Sequence, residues 1–175
     1  MKNIVIIDIE TTGLSPLTDK IIEIGALLFN IEHKIVLQTC SFFLPCNNNP
    51  VEHINNIKAE WTSKHRSHSG GILMLRNMIK QADAIIAHNA KFDKGFLLEI
   101  PYLKKVLSSA TWLCTKDNFK WPVALPRKRL QDICSSMGVD YVGAHRSISD
   151  CEFLAKCFSK VDDLQARLED SLLRI

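Results

Sequence analysis

Apolar residues form three consecutive runs near the start of the chain, at positions 3–9, 20–30 and 34–44. The first run is apolar at nearly every position, as expected of a strand that is buried on both faces. Short breaks that contain Gly13, Pro16 and other turn-forming residues separate the runs. Because short connections join antiparallel neighbours, this pattern predicts a meander of three antiparallel strands.

After residue 68 the pattern alternates between helices and strands. Apolar spacings of three and four residues predict helices over 69–81, from 89 to about 99, over 130–137 and over 147–160. Short apolar runs at 84–87 and 111–115 predict two more strands, and a leucine stripe within 162–175 predicts a terminal amphipathic helix. The sequence therefore predicts an α/β fold with a mixed five-stranded sheet flanked by helices.

Composition narrows the class of protein. The 175 residues and the 46% hydrophobic content fit one domain spanning 1–175. No apolar stretch approaches the roughly 20 residues of a membrane span, so we expect a cytoplasmic protein. Six cysteines without a Cys-x-x-Cys pair are interpreted as buried free thiols. The net charge of +3 permits nucleic-acid binding without requiring it.

Two carboxylates end the first apolar run. Asp8 and Glu10 are alternate residues of the predicted strand, so their side chains point to the same face. Such a pair is costly in a buried position unless a cation neutralises it. The alternative is two solvated charges in the following loop.

Two more acids fall at predicted helix starts. Asp93 follows a predicted Asn89 cap, where it also complements the helix dipole. Asp150 completes a capping-box pattern, Ser147-x-x-Asp150, which by itself explains an acid at that place. His145 precedes the same helix and is expected in the loop ahead of it, where it can lie over a site.

These acids belong to three motifs that follow one another along the chain. The motifs are Asp8-x-Glu10-Thr11-Thr12-Gly13-Leu14, His88-Asn89-Ala90-x-Phe92-Asp93, and His145 followed by Asp150 after four residues. In this order they resemble the motifs of the DEDDh 3′→5′ exonucleases, which include the proofreading subunit of bacterial DNA polymerase III. A related subclass has tyrosine where this chain has Arg146. The resemblance implies a ribonuclease-H-like sheet with the first strand at its centre.

The resemblance also implies the chemistry of a nuclease. Four carboxylates would hold two divalent metal ions, Mg²⁺ or Mn²⁺, and a histidine would be the general base. The implied catalytic set is Asp8, Glu10, Asp93, Asp150 and His145.

A second set of residues is implied to contact the terminal nucleotide. They are Thr11, Leu14, Ile54 and Asn55. The implied reaction releases nucleoside 5′-monophosphates from the 3′ ends of single-stranded DNA, as proofreading and DNA repair require.

Several alternatives stay open on the sequence alone. Short RNA is the second substrate class, and a non-catalytic polymerase accessory subunit or nucleic-acid-binding module is the third interpretation. Association with a polymerase is also open. The basic run of residues 127–129 either guides a phosphate backbone or is a solvated helix face.

Overall fold

A computed structural model describes residues 1–64, 68–142 and 145–172. The strands are β1 (Asn3–Thr11), β2 (Ile21–Asn30), β3 (Ile35–Phe43), β4 (Ala84–Ala87) and β5 (Trp112–Cys114). The helices are α1 (Glu52–Asn55), α2 (Ala59–Ser63), α3 (Ser69–Lys80), α4 (Ala90–Leu97), α5 (Pro101–Ser109), α6 (Leu130–Ser136), α7 (Ser147–Ser159) and α8 (Leu164–Leu172).

The strands form one mixed sheet in the order β3-β2-β1-β4-β5. The pairs β1–β2 and β2–β3 are antiparallel, whereas β1–β4 and β4–β5 are parallel. The predicted meander, the mixed sheet and the central first strand are therefore confirmed. Because β1, β4 and β5 run in the same direction, their carboxyl ends meet at one edge of the sheet.

The sheet separates two apolar cores. Ile4 and Ile6 of β1 point into the core that α6, α7 and α8 cover, and Val5 and Ile7 point into the core beneath α3, α4 and α5. This alternation follows from the two-residue period of a strand. Asp8 continues the series of Ile4 and Ile6, so it faces the side of the sheet on which α7 lies.

The helix α5 was not predicted. Pro101 was interpreted only as the end of the preceding helix, but it also occupies the first turn of a new one. Proline suits that position because the first backbone N–H groups of a helix have no partner within the helix. The residues that α5 buries are Leu103 and Leu107, at the spacing of one helical turn.

The short helices α1 and α2 lie in a stretch for which the sequence predicted no helix. Each is one turn or little more, which is too short for an apolar period to appear in the sequence. Their anchors are buried polar side chains, since Asn55 and Thr62 are each 1% exposed.

The terminal helix packs on its own protein. Leu164 and Leu168 of α8 are buried in the core beneath α6 and α7, and residues 173–175 lie outside the described part of the chain. All six cysteines are buried free thiols, as predicted. Among the described residues, no helix is long and apolar enough to cross a membrane.

Candidate active site

The last residues of β1 carry the first two acids. The strand continues through both of them, and its register with β2 shifts only between Glu10 and Thr11. The side chains of Asp8 and Glu10 therefore share the face of the sheet that α7 covers. Asp8 pairs with Gly25 and Glu10 with Glu23, so the ladder with β2 holds the backbone that carries these acids.

The helix α7 brings the third acid to the same place. Its first turn lies directly on β2 at Gly25, where an added Cβ atom would collide with the backbone of Ser147 and Ile148. The Cys151 thiol of the next turn donates to the Gly25 carbonyl at 3.3 Å. This close approach of helix and strand places Asp150 over the acids of β1.

Glu23 of β2 holds the beginning of α7. This side chain is 1% exposed and lies opposite Glu10 in the β1–β2 register. Its carboxylate accepts hydrogen bonds from Arg146 Nε and Nη2 at 2.6–3.1 Å and from the Ser147 backbone N–H at 3.0 Å.

The capping box predicted at Ser147 is therefore wrong. Arg146 is the N-cap residue of α7, and its side chain makes no cap hydrogen bond. A carboxylate from another strand, Glu23, takes the place of a local cap. Sequence reasoning missed this role, although a single acid in the apolar run of residues 20–30 was a usable signal.

Three of the four predicted carboxylates come together. Oxygens of Asp8, Glu10 and Asp150 all lie within 4.8 Å of one another, a spacing that suits a shared cation. Asp93, in the first turn of α4, is 2% exposed. The charge of Asp93 is the strongest electrostatic influence that raises the pKa of Asp8, which shows that the two carboxylates lie close together. The predicted cap at Asn89 makes no side-chain hydrogen bond, although Asn89 is the N-cap residue.

Burial and mutual repulsion make this cluster costly when it is ionised. Burial, followed by the charges of Asp93, Asp150 and Glu10, raises the pKa of Asp8 well above its usual range. Burial and the charge of Asp150 raise the pKa of Glu10 to about 8. Burial raises the pKa of Asp93 to about 7, although backbone hydrogen bonds oppose the shift. A divalent cation would remove this cost, so the donor set fits a metal ion.

Asp150 has two further partners. Burial raises its pKa, while a hydrogen bond from Tyr141, a backbone hydrogen bond from His145 and the His145 charge lower it. The Tyr141 hydroxyl donates to Asp150 Oδ1 at 3.2 Å. Tyr141 packs against Phe153 of α7, with ring centroids 4.7 Å apart. No pattern in the sequence pointed to Tyr141, because its contact with Asp150 depends on the path of the chain between α6 and α7.

His145 lies immediately before Arg146, in the position that the sequence predicted. Its side chain is exposed, and its backbone is left-handed with φ of 65°. Few residues other than glycine adopt this conformation, and histidine is among those that adopt it more often. The backbone at His145 thus turns sharply into α7, which leaves the imidazole free in solvent beside the acids.

A loop after β1 presents an apolar side chain to solvent. Leu14 is 86% exposed, as predicted. The loop is ordered by local bonds: Thr11 Oγ1 donates to the Gly13 carbonyl at 2.6 Å, and Asp19 accepts from the Ser15 N–H at 2.8 Å. An exposed leucine on an ordered loop can pack against a planar ring of a bound ligand.

The helix α1 is tied to the same loop. Asn55 Nδ2 donates to the Thr11 carbonyl at 3.2 Å, and Asn55 Oδ1 accepts from Asn49 and from the Ile57 N–H. The amide of Asn55 is thus used within the protein and has no exposed surface for a nucleotide. Ile54, its neighbour, is 53% exposed. Of the two residues predicted here, only Ile54 presents its side chain to solvent.

His88 has a structural role. Nδ1 lies 3.0 Å from Thr115 Oγ1, and Nε2 lies 3.0 Å from the Lys128 carbonyl. The ring thereby connects the ends of β4 and β5 with the loop ahead of α6.

Comparison of the sequence with protein families identifies the family of this domain. The family model described as RNase_T, exonuclease, matches residues 5–158, a range that contains all four acids and His145. The chain belongs to the RNase_T exonuclease family. The resemblance to DEDDh exonucleases is therefore confirmed.

Relatives of this RNase_T domain are bacterial enzymes. A DNA polymerase III PolC-type protein of Thermotoga petrophila is 26% identical over 169 residues, covering 94% of this chain and 12% of that protein. A ribonuclease T of Haemophilus ducreyi is 31% identical over 110 residues, covering 53% of this chain and 51% of that protein. The chain thus spans about an eighth of the PolC-type relative and half of the ribonuclease.

Solved structures share the fold of this RNase_T domain. Exonuclease I of E. coli in complex with a dT13 oligonucleotide has a TM-score of 0.75 at 16% identity, covering 97% of this chain and 43% of that chain. A 3′-exonuclease that recognises the histone mRNA stem-loop has a TM-score of 0.72 at 16% identity, covering 94% and 82%. Both likenesses support the ribonuclease-H-like architecture.

The raised pKa values lead to a prediction for stability. An acid whose pKa is raised on folding binds more protons in the folded than in the unfolded state, so stability falls as pH rises between the two values. In EDTA, the melting temperature should fall from pH 5 to pH 8, and Mg²⁺ should raise it more at pH 8 than at pH 5. Differential scanning fluorimetry in matched buffers measures both.

Glu10→Gln is the matched control for this prediction. An amide does not ionise, so the decline between pH 5 and pH 8 should be shallower in this variant. If the melting temperature of Glu10→Gln depends on pH in the same way as that of wild type, the acidic cluster is not the source of the pH dependence.

The ion pair of Glu23 and Arg146 leads to a second prediction. Removing one partner of a fully buried pair costs about 3–5 kcal/mol, and here Arg146 is partly exposed, with 39% of its side chain accessible. We expect a coupling of about 1–2 kcal/mol between Glu23→Ala and Arg146→Ala in a double-mutant cycle of urea unfolding.

Glu32→Ala is the control for the Glu23 cycle, since Glu32 is exposed in the turn between β2 and β3. It should leave the free energy of unfolding within about 0.5 kcal/mol of wild type. Strict additivity of Glu23→Ala and Arg146→Ala would contradict a holding role for the pair.

Proposed function

We propose that this chain is a metal-dependent 3′→5′ exonuclease that removes nucleoside 5′-monophosphates from the 3′ ends of single-stranded nucleic acid. The observation that carries the proposal is the convergence of Asp8, Glu10 and Asp150 within 4.8 Å of one another. Asp93 lies beside them, and His145 precedes the helix that carries Asp150. Membership of the RNase_T exonuclease family supports the same chemistry.

Asp8, Glu10 and Asp150 would hold the cations, and Asp93 would support the site from α4. Two divalent cations bound there, Mg²⁺ or Mn²⁺, would neutralise the acids and the substrate phosphate and stabilise charge on its oxygens. Oxygen donors are the ligands that both ions prefer. Tyr141 holds the Asp150 carboxylate in place through its hydroxyl.

His145 is the proposed general base. Histidine is the side chain that ordinarily titrates near neutral pH, so it can accept a proton from the attacking water. The exposed position of His145 leaves the ring able to reach a water beside the scissile phosphate. His145 directly precedes the N-cap residue of α7 and Asp150 lies in its first turn, so base and acid are at the same end of the helix.

The terminal nucleotide would be held by the loop after β1 and by α1. Leu14 and Ile54 present exposed apolar side chains there, and stacking on side chains depends little on base identity. Thr11 would support this contact by holding the loop, because its hydroxyl donates to the Gly13 carbonyl and its carbonyl accepts from Asn55. Asn55 would act as a positioning residue, because its amide ties α1 to the Thr11 carbonyl.

DNA is the first proposed substrate and short RNA the second. The PolC-type relatives carry a DNA polymerase name, whereas the ribonuclease T relative is named for RNA, so each class has one line of support. Association with a polymerase is a further proposal that rests on the PolC-type names alone, and co-purification tests it.

One assay tests the activity and the substrate together. Matched 5′-labelled DNA and RNA oligonucleotides are incubated with Mg²⁺ or Mn²⁺, and the products are resolved on a gel. We expect a ladder that shortens one nucleotide at a time from the 3′ end and stops in excess EDTA. Activity that persists in EDTA would contradict metal dependence, and the absence of any ladder would favour the binding-module alternative.

The proposed base leads to a kinetic prediction. His145→Ala should lose at least about 100-fold in kcat, the usual contribution of a general base, while its melting temperature and its stabilisation by Mg²⁺ stay near wild type. His33→Ala is the control, because His33 is exposed in the turn between β2 and β3, at the opposite end of the sheet. Near-normal turnover of His145→Ala would remove this residue from the mechanism.

A further inference from the structure

The positive charge of the chain is concentrated in one segment. Residues 116–129, here called the basic segment, contain five basic residues and one acid, which gives a charge of +4 against +3 for the whole chain. The remaining residues therefore carry a net charge of −1. This asymmetry marks the basic segment as the favoured surface for a polyanion.

The basic segment lines an open groove. The groove has a volume of about 630 Å³, and three lysines border it: Lys116, Lys120 and Lys128. Partly buried apolar side chains, Val123 and Leu125, form part of its wall. Lys120 has an acidic neighbour, with its Nζ 3.9 Å from Asp170 Oδ2. Lys116 and Lys128 are exposed and have no ion-pair partner among the described residues.

This groove begins at the edge of the sheet that carries the acids. Ala87 of β4 pairs with Cys114 of β5, and Lys116 follows two residues later at the carboxyl end of β5. Only β4 separates β5 from β1. Leu113 of β5 is level with Ile6 of β1, since both pair with Ile86 of β4. Because adjacent strands lie about 5 Å apart, the end of β5 is about 10 Å from the part of β1 that carries Asp8.

The basic segment is attached to the framework of the site. His88 connects the Lys128 carbonyl with Thr115, at 3.0 Å to each, and His88 directly precedes the N-cap residue of α4. Trp121 Nε1 donates to the Thr115 carbonyl at 3.2 Å. The lysines of the groove therefore keep a defined position relative to Asp93 and the other acids.

The two sides of the acids differ in character. The exposed side chain of Ile54 lies on the side of β2 and β3, because the loop around Ile57 packs on Ile22 and Phe43. The lysines lie on the opposite side, beyond β4. A strand whose terminal base contacts Ile54 would extend across the acids toward the groove.

We propose that the groove binds the phosphodiester backbone of the substrate strand on the 5′ side of its terminal nucleotide. This placement rests on the proposed function, which supplies the direction of the strand. The separation of about 10 Å equals about three stacked nucleotides at 3.4 Å each. Lys116 and Lys128 then contact phosphates beyond about the third nucleotide, so they act on affinity for longer strands and not on the chemical step.

A binding experiment tests the groove without any need for turnover. Fluorescence anisotropy in EDTA measures the affinity of a labelled 12-nucleotide oligothymidine for wild type and for Lys116→Gln/Lys128→Gln at several salt concentrations. The slope of log K against log salt is negative, and each lost phosphate contact on a single strand makes it less steep by about 0.7. We expect the slope of the double variant to be less steep than that of wild type by about 1.4.

Lys104→Gln/Lys105→Gln is the matched control, since it removes the same charge from exposed positions on α5. Its slope should stay within about 0.3 of wild type, because these lysines make no proposed phosphate contact. An unchanged slope in the groove variant, or an equal fall in the control, would overturn the proposal. A protein that hydrolyses nothing but shows the expected difference would refute only the proposed exonuclease function.

Kinetics provide the second readout. The KM for the 12-nucleotide strand should rise about tenfold in the groove variant, whereas the KM for a dinucleotide and the kcat for both substrates should stay unchanged. A dinucleotide KM that rises by the same factor would place these lysines at the terminal nucleotide and contradict the proposed path.

Discussion

Electrostatic repulsion among buried carboxylates is the constraint on which the rest of this structure depends. Taking even one ion out of water costs several kcal/mol, and here Asp8, Glu10, Asp93 and Asp150 are brought together in or at the edge of the core. Packing elsewhere in the molecule must supply the free energy that holds them. The apolar strand that precedes Asp8, hydrogen-bonded on both sides, supplies the most rigid part of that support.

The fold resolves this repulsion by drawing the acids from different elements. β1 supplies two of them, and the starts of α4 and α7 supply one each. A fifth carboxylate, Glu23, lies in the same region but is neutralised by Arg146. Glu23 thus has a cationic partner, whereas the other four acids form no ion pair among the described residues. The positive charge of the basic segment likewise lies beyond the acids and not among them.

The sequence predicted the parts of this arrangement that depend on local pattern. The strands were recognisable because their residues are apolar nearly throughout, and the acids were recognisable because they interrupt that pattern at the end of β1. Long-range contacts were not predictable: Glu23 holds an amide 124 residues away, and Asn55 bonds a carbonyl 44 residues away. Proline is compatible both with the end of one helix and with the start of the next. The sequence around Pro101 therefore did not distinguish the two, which depend on tertiary packing.

The acids of the cluster are held by different kinds of structure. Asp8 and Glu10 lie on a strand whose backbone pairs with β2 at both residues. Asp150 lies in the first turn of a helix that rests on the sheet at Gly25 and is bound by Glu23. A larger residue at position 25 would therefore push Asp150 away while Asp8 and Glu10 keep their register, so a single glycine sets the width of the acidic cluster.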